Sequence, residues 1–360
     1  MKILCVIDSL GSGGAQRQLV ELAKGFKEKG HEVQFLVYHD YNFFEQDLIK
    51  SQISITLIPE SNYFKRLIKM RRFIRDGDFN GIISFLEGAN FISTVAGFPF
   101  KKWKLVVGER SANPKILTSF KLRFYRWFHV FSDHVVANSQ ANLDMVKKAN
   151  PLLRNKKCAV IYNFTTMGEV ALTIPKNQKL VITVPASYRN VKNTEGLVEG
   201  INLLTENHKK KLIINWYGSI ETKGGKAYYN KVSKKIKEYK LEDVIHLNEA
   251  STDIANIYKN SDFIALLSHF EGFPNVISEA MTIGRPVIVT KVSDIPIFVK
   301  ENENGFLCDS TNTLSIKNAF EKAIETTEKE RNIMGLNNLE KAKTLFDKDK
   351  IVNAYLTLLK

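Results

Sequence analysis

Short runs rich in β-branched and aliphatic residues recur along this chain, and stretches with helical spacing separate them. The runs are KILCVID, HEVQFLVY, GIISF, KLVVGE and HVVANS in the first half, then KLVITV, KLIINWYG, DVIHL, DFIALLS and PVIVT in the second. Runs that stay apolar instead of alternating suit strands covered on both faces, and parallel strands need the intervening helices as crossovers. The pattern predicts α/β architecture with mostly parallel sheets. The first helix is the clearest, with Leu19, Val20, Leu22, Ala23 and Phe26 on one stripe and Gly30 where a C-terminal glycine belongs.

Both halves repeat this grammar, and 360 residues suffice for two ordinary cores. Periodicity fades over TTMGEVALTIPKNQ, residues 165–178, where Pro175 precedes a fresh strand. Two Rossmann-like domains facing across a cleft are expected, 1–168 and 169–345, with ligands beyond the carboxyl ends of the strands. A last helix from about Asp347 to Leu359 carries Ile351, Val352, Tyr355, Leu356 and Leu359 as its apolar stripe.

With 44% hydrophobic and 25% charged residues the chain excludes extensive disorder. Its formal charge of +14 favours anionic partners without choosing among them. Three scattered cysteines, Cys5, Cys158 and Cys308, lack metal-ligand spacing and suit a reducing compartment. MKILCVIDSLGSGG is too short in its apolar run for a signal peptide, and no stretch is long enough to span a bilayer, so a cytoplasmic protein is expected.

Four polar segments carry the chemistry. In EGFPNVISEA two carboxylates, Glu271 and Glu279, flank a loop-to-helix junction, where Pro274 suits a first helical turn and the amides behind it attract anions. Asn275, Ser278, Glu279 and Thr282 share one face, with Val276, Ile277, Ala280 and Ile283 free to pack inward. That face reads either as solvated surface or as ligand-binding. DSLGSGGAQRQ joins the first strand to its helix through Gly11, Gly13 and Gly14, which permit close backbone approach. VPASYRNVKNTEG places Arg189 and Lys192 after a strand, a pair able to neutralise a diphosphate. VVGERSANP sets Glu109 and Arg110 after another strand, where they can bond a hydroxylated or phosphorylated ligand or form a local salt bridge. FKRLIKMRRFIR (64–75) and KILTSFKLRFYRWFHVF (115–131) mix cations with aromatics, a pattern shared by core-packing stripes and by helices lying on acidic membranes.

The run SHFEGFPNVISEAMTIGRPV, residues 268–287, resembles the C-terminal signature of retaining glycosyltransferases of family 4. The resemblance implies the GT-B fold, with the terminal helix, 346–360, crossing back to the first domain. It implies that Glu271 faces the donor sugar, that Glu279 bonds the ribose, and that Gly272, Phe273, Pro274 and Asn275 form the donor junction. Gly13 and Gly14 resemble the family's GGAER loop, which touches donor phosphates or acceptor; Arg17 matches its arginine, an acceptor contact, and Gln16 replaces its glutamate. Lys192, with Arg189, falls where the family stabilises the departing diphosphate, although Ser187 occupies the usual arginine position. Val244–Asn248 matches a stretch whose backbone meets the nucleobase, with Asn248 in place of glycine and tolerant of a left-handed backbone. In KVSDIPIFV, Ser293, Asp294 and Ile297 replace two glycines and a glutamate, whereas Asn304-Gly305-Phe306-Leu307 restores the pattern. Glu109 and Arg110 stand where many relatives have an acceptor-positioning histidine.

No DxD motif or metal cluster occurs, so the expected donor binding is metal-independent and needs no cofactor. The expected donor is a UDP-sugar, with GDP-sugar second. The expected acceptor is a polysaccharide or undecaprenyl-diphosphate-linked glycan, with an acidic membrane surface as a further partner and the inner face of the plasma membrane as a peripheral location. A nucleotide-sugar 2-epimerase of the same fold is the rival enzyme. A nucleic-acid-binding role would use the charge but finds no reading module in the sequence.

Overall fold

Every strand pairing among the described residues is parallel, so each strand reaches its neighbour only through a crossover. The computed structural model describes residues 1–111, 113–165, 178–221 and 224–360. It divides into two compact units, Met1–Phe164 with Asp347–Lys360, and Thr165–Phe346. Most of the expected boundary segment, 166–177 with Pro175, lies outside the described residues.

The first unit runs β1 (Lys2–Val6), α1 (Gly14–Glu28), β2 (Glu32–Val37), α2 (Glu45–Lys50), β3 (Ser54–Leu57), α3 (Tyr63–Asp76), β4 (Gly81–Phe85), α4 (Glu87–Ala96), β5 (Lys104–Glu109), α5 (Phe120–Trp127), β6 (His134–Ala137), α6 (Gln140–Ala149) and β7 (Cys158–Val160). Its sheet has the order β3-β2-β1-β4-β5-β6-β7. The two-residue period of β1 feeds two cores. Ile3 and Cys5 pack with Leu19, Leu22 and Phe26 of α1, while Leu4 and Val6 pack on the other face with Met70, Ile74 and Ile92. α1 ends as its sequence requires, with Gly30 at φ +81°.

The second unit runs β8 (Leu180–Pro185), α7 (Thr194–Asn202), α8 (Glu206–Lys210), β9 (Leu212–Tyr217), α9 (Gly225–Glu238), β10 (Ile245–Asn248), α10 (Ile254–Lys259), β11 (Phe263–Leu266), α11 (Asn275–Ile283), β12 (Val287–Thr290), α12 (Ile295–Phe298), β13 (Gly305–Cys308), α13 (Thr313–Glu325) and α14 (Glu328–Leu345). Its sheet order is β10-β9-β8-β11-β12-β13. Strand order therefore reverses between β1 and β4 in one sheet and between β8 and β11 in the other.

The last helix, α15 (Lys348–Leu358), belongs to the first unit. Asp347 caps it by accepting from the Lys350 amide at 2.7 Å. Ile351, Val352, Tyr355 and Leu356 join the core that α1 also lines. Gly25 of α1 makes room for this, because a Cβ there would stand 2.5 Å from Val352 Cγ2.

In the second unit α14 grips α11 by backbone contact. A Cβ on Gly335 would lie 2.3 Å from the carbonyl oxygen of Gly284, the residue that ends α11 at φ +80°. Buried Asn338, one turn on, donates to the carbonyls of Arg285 and Asn304 at 2.8 Å each. Gly335→Ala is accordingly expected to cost about 1–3 kcal/mol by overpacking against a carbonyl that cannot yield. Thermal denaturation should show a Tm several degrees lower, and an unchanged Tm would mean that the two helices separate freely.

Candidate active site

The reversal between β8 and β11 sends their following loops apart, and two functional side chains meet over the gap. Lys192 comes from the loop after β8 and Glu271 from the loop after β11. Lys192 Nζ lies 2.6 Å from Glu271 Oε1, with the side chains 22% and 13% exposed. Ser268 Oγ donates to the same carboxylate oxygen at 2.6 Å. Backbone bonds fix the loops behind them, since the His269 amide donates to Val191 O at 2.9 Å and Thr290 Oγ1 to Ser268 O at 2.7 Å. Asn193, at φ +60°, turns the first loop into α7, accepting from the Gly196 amide and donating to Ser310 O. Arg189 stands exposed at the head of this turn.

Pro274 is the N-cap of α11, one residue earlier than a first-turn position. Its carbonyl accepts from the amides of Ile277 at 2.9 Å and Ser278 at 3.4 Å. The polar face of the helix is not solvated: Ser278 is 0% and Glu279 only 6% exposed. The Ser278 and Thr282 hydroxyls donate to the carbonyls of Asn275 and Glu279, each at 2.8 Å, and Tyr258 donates its hydroxyl to Glu279 Oε2 at 3.2 Å. A carboxylate so buried is costly unless something compensates its charge and lone pairs. Phe273 points its ring into the unit against Phe298 and Phe346, which leaves its backbone as the part able to meet a ligand.

Gly272 O accepts from Ser293 Oγ at 2.8 Å. Ser293 has φ +52°, so the position where the family resemblance expects glycine does need a left-handed backbone, and here a serine supplies it. Asn248 corrects an expectation in the opposite sense. It ends β10 in extended backbone, with its carbonyl accepting from Gly218 N at 3.1 Å and Tyr188 Oη at 2.9 Å, so no left-handed tolerance is called upon. The close approach belongs instead to Gly218, where a Cβ would fall 2.1 Å from Ala186 O. Trp216 Nε1 donates to that same carbonyl at 2.5 Å and its ring stacks on Tyr188. Neither Gly218 nor this aromatic floor was signalled by a motif.

In the first unit, Gly13 caps α1 with φ −80° and ψ 156°, and Gly14 opens the helix. Gly13 is not placed by a left-handed angle. Gln16 Nε2 donates to Asp8 Oδ1 at 2.9 Å, an arrangement a glutamate would turn into repulsion, which accounts for Gln16. Arg17, half-buried, donates its amide to Gly13 O at 3.0 Å.

Glu109 and Arg110 take different partners. Glu109 is buried, with Oε2 2.8 Å from Arg126 Nη2 and Oε1 2.6 Å from His129 Nε2. Burial alone would raise its carboxyl, but Arg126 and His129 outweigh it and hold Glu109 below the ordinary range. With both oxygens engaged inside the unit, Glu109 does not face an acceptor. Arg110 bonds Asn163 at 3.1 Å and the hydroxyl of Tyr355, and lies 4.0 Å above the Phe85 ring. Glu87, which opens α4 shortly after β4, is bonded to Arg126 at 3.3 Å. Before it Leu86 holds φ +75° and ψ 153°, a combination that is nearly confined to glycine.

Two parallel-sheet Rossmann-like units with this reversal are the architecture of GT-B glycosyltransferases. Residues 12–167 match the family model Glycosyltransferase Family 4 and residues 169–340 the model Glycosyl transferases group 1, and the chain belongs to this family of transferase enzymes. A Bacillus anthracis N-acetyl-alpha-D-glucosaminyl L-malate synthase is 26% identical over 63% of this chain and 59% of its own length. A Campylobacter jejuni N-acetylgalactosaminyltransferase named for a diphospho-undecaprenol substrate is 24% identical over 99% of both chains. The crystal structure of Anabaena HepE in complex with UDP superposes with a TM-score of 0.86 at 20% identity, covering 100% of this chain and 99% of that one.

Two stability outcomes follow from these contacts. Ser293→Ala keeps the strained angle and loses the bond to Gly272, costing about 1–2 kcal/mol, whereas Ser293→Gly relieves the angle and should stay within about 1 kcal/mol of the parent in urea denaturation. Glu109→Gln leaves Arg126 buried against an amide and should cost about 3–5 kcal/mol. Because Glu109's folded pKa is depressed, its contribution is present above the ordinary carboxyl range and lost as pH falls through the folded value. The acid side of the stability–pH curve should therefore be flatter in the variant.

Proposed function

We propose that this glycosyltransferase transfers a sugar, with retention of anomeric configuration, from a UDP-sugar to a lipid-linked or polysaccharide glycan. The observation that carries the reading is the Lys192–Glu271 contact over the β8/β11 reversal, next to a helix start and a buried second carboxylate. Lys192 has three N–H donors, of which Glu271 takes one. The others suit the oxygens of a diphosphate lying over the start of α11, with exposed Arg189 as a second cation. Glu279 is the acceptor for ribose hydroxyls and Glu271 orients the sugar, while the leaving phosphate helps deprotonate the incoming hydroxyl, so no side chain acts as base. Lys192, Arg189 and the α11 amides supply the positive charge that a divalent ion supplies elsewhere, so donor binding is metal-independent.

The donor reading draws support from a UDP complex on the same fold. The acceptor reading draws on relatives named for undecaprenol-linked substrates, among them a second Campylobacter jejuni N-acetylgalactosaminyltransferase at 23% identity. UDP should raise the Tm more than GDP, ADP or dTDP does, and chelation with EDTA should leave that shift intact. In calorimetry Glu279→Ala should weaken UDP binding about tenfold or more, and Lys192→Ala should lower turnover roughly 100- to 1,000-fold. Unchanged UDP affinity in both variants would sink the assignment. Conversion of the nucleotide sugar to its epimer without any acceptor would replace transfer by the epimerase chemistry.

A further inference from the structure

α5 and the single turn after it are built inside out. Phe120, Phe124 and Trp127 stand at i, i+4 and i+7 on the outward face, 71%, 36% and 39% exposed, and Phe131 continues the stripe at 50%. The inward face carries polar groups instead, for Arg126 and His129 are both buried and both reach Glu109. Adjacent rings form a continuous ladder. Phe120 lies 6.3 Å from Phe124, Phe124 5.1 Å from Phe128, Phe128 6.0 Å from Phe131, and Phe131 4.6 Å from Phe98. Phe100, 83% exposed, extends it along the loop after α4.

The face is held rigidly. Arg71 and Arg75 of α3 donate to the carbonyl of Phe98 at 2.7 and 3.1 Å, and Arg75 also to those of Ala96 and Phe100. On the inner side Arg126 fastens α5 to Glu87 and Glu109. Rings displayed to solvent on a clamped backbone cannot fold away from water, which is unfavourable unless an apolar phase covers them.

Charge identifies the phase. Residues 98–131 hold eight Lys and Arg against one acid, Glu109; Arg126 is buried with that acid and Lys101 pairs with Asp133, and the remaining six cations have no further acid in this stretch. Lys102, Lys115 and Lys121, interleaved with the rings in sequence, are exposed, and Lys121 Nζ lies 5.9 Å from the centre of the Tyr125 ring. An apolar protein partner would match the rings without the cations, and a nucleic acid the cations without the ladder. An anionic lipid bilayer satisfies both, taking aromatic side chains into its headgroup and acyl boundary and drawing cations to its surface.

We infer that the Phe120–Phe131 stripe with the Phe98–Phe100 loop is a docking surface for an acidic lipid bilayer. The chain contains its own reporter. Of the three tryptophans, Trp103 and Trp216 are buried and Trp127 lies in the stripe. Vesicles of phosphatidylglycerol and phosphatidylcholine whose acyl chains carry bromine should quench its fluorescence and carry the unmodified protein down on sedimentation. Pure phosphatidylcholine should do so roughly tenfold more weakly, and added salt should loosen the bound fraction. The exposed double substitution Phe120→Ser with Phe131→Ser should reduce vesicle binding about tenfold or more while leaving the Tm unchanged. Vesicle binding is read without donor or acceptor, so its outcome is separate from that of the transferase reading. Failure of acidic vesicles to quench Trp127 would overturn the inference. So would equal binding to uncharged vesicles, or a lipid-free dimer that shields Trp127 and dissociates in the double variant.

Discussion

Parallel sheets bury their strands under crossovers on both faces, and polar chemistry finds room only where that cover parts. In the second unit this happens between β8 and β11, whose crossovers leave in opposite directions. Much of the candidate site follows from that geometry. The loop after β8 brings Lys192, the loop after β11 brings Glu271, and the bond from His269 to Val191 joins the two loops before either side chain is considered. The ion pair is thus a consequence of topology as much as of charge. Ser268 and Thr290 then tie the carboxylate to β12, so the acidic group is fixed from its own side of the gap and the ammonium from the other.

Three buried charges among the described residues are settled by the protein itself. Glu109 is balanced by Arg126 and His129 within the first unit, and Asp262 lies 3.3 Å from Arg331 while accepting from the Val181 amide in the second. Arg285 is buried with its guanidinium turned to the carbonyls of Tyr258 and Lys259. These clusters pin loops at strand ends, where a hydrophobic contact would leave backbone groups unpaired. The cost of desolvating each charge is offset by several directional bonds, and the reward is placement.

The interior strands could be read from the sequence because strands covered on both faces leave unbroken apolar runs. Three strands left no such run. β3 and β13 have four residues each and β7 three, and all three lie at sheet edges, where one side lacks a neighbour. At the site, Glu271, Glu279 and Lys192 stand in recognisable spacing, but burial of the α11 polar face was hidden because packing by Tyr258 comes from the preceding helix, across β11. Gly218 was silent for a similar reason, since its crowding partner, Ala186, lies on another loop. Glu109 stayed open between two readings because the end of a strand looks the same whether its partners are a ligand or an arginine seventeen residues further on. The mixed segment at 115–131 held both readings at once, and only folding turned Arg126 inward while leaving Lys115, Lys121 and most of the rings outward.

The contact of Gly335 with the end of α11 has a mechanical consequence. A helix seated by side chains can slide by rotamer changes, whereas one seated backbone to backbone moves only with its neighbour. The start of α11, where Pro274 turns the chain toward the site, is thereby positioned from its opposite end, through a helix that contributes none of the proposed ligand contacts. The register of α14 thus fixes where α11 begins as well as where it ends, and a substitution along α14 can displace the first turn of α11 while every residue of that turn keeps its identity.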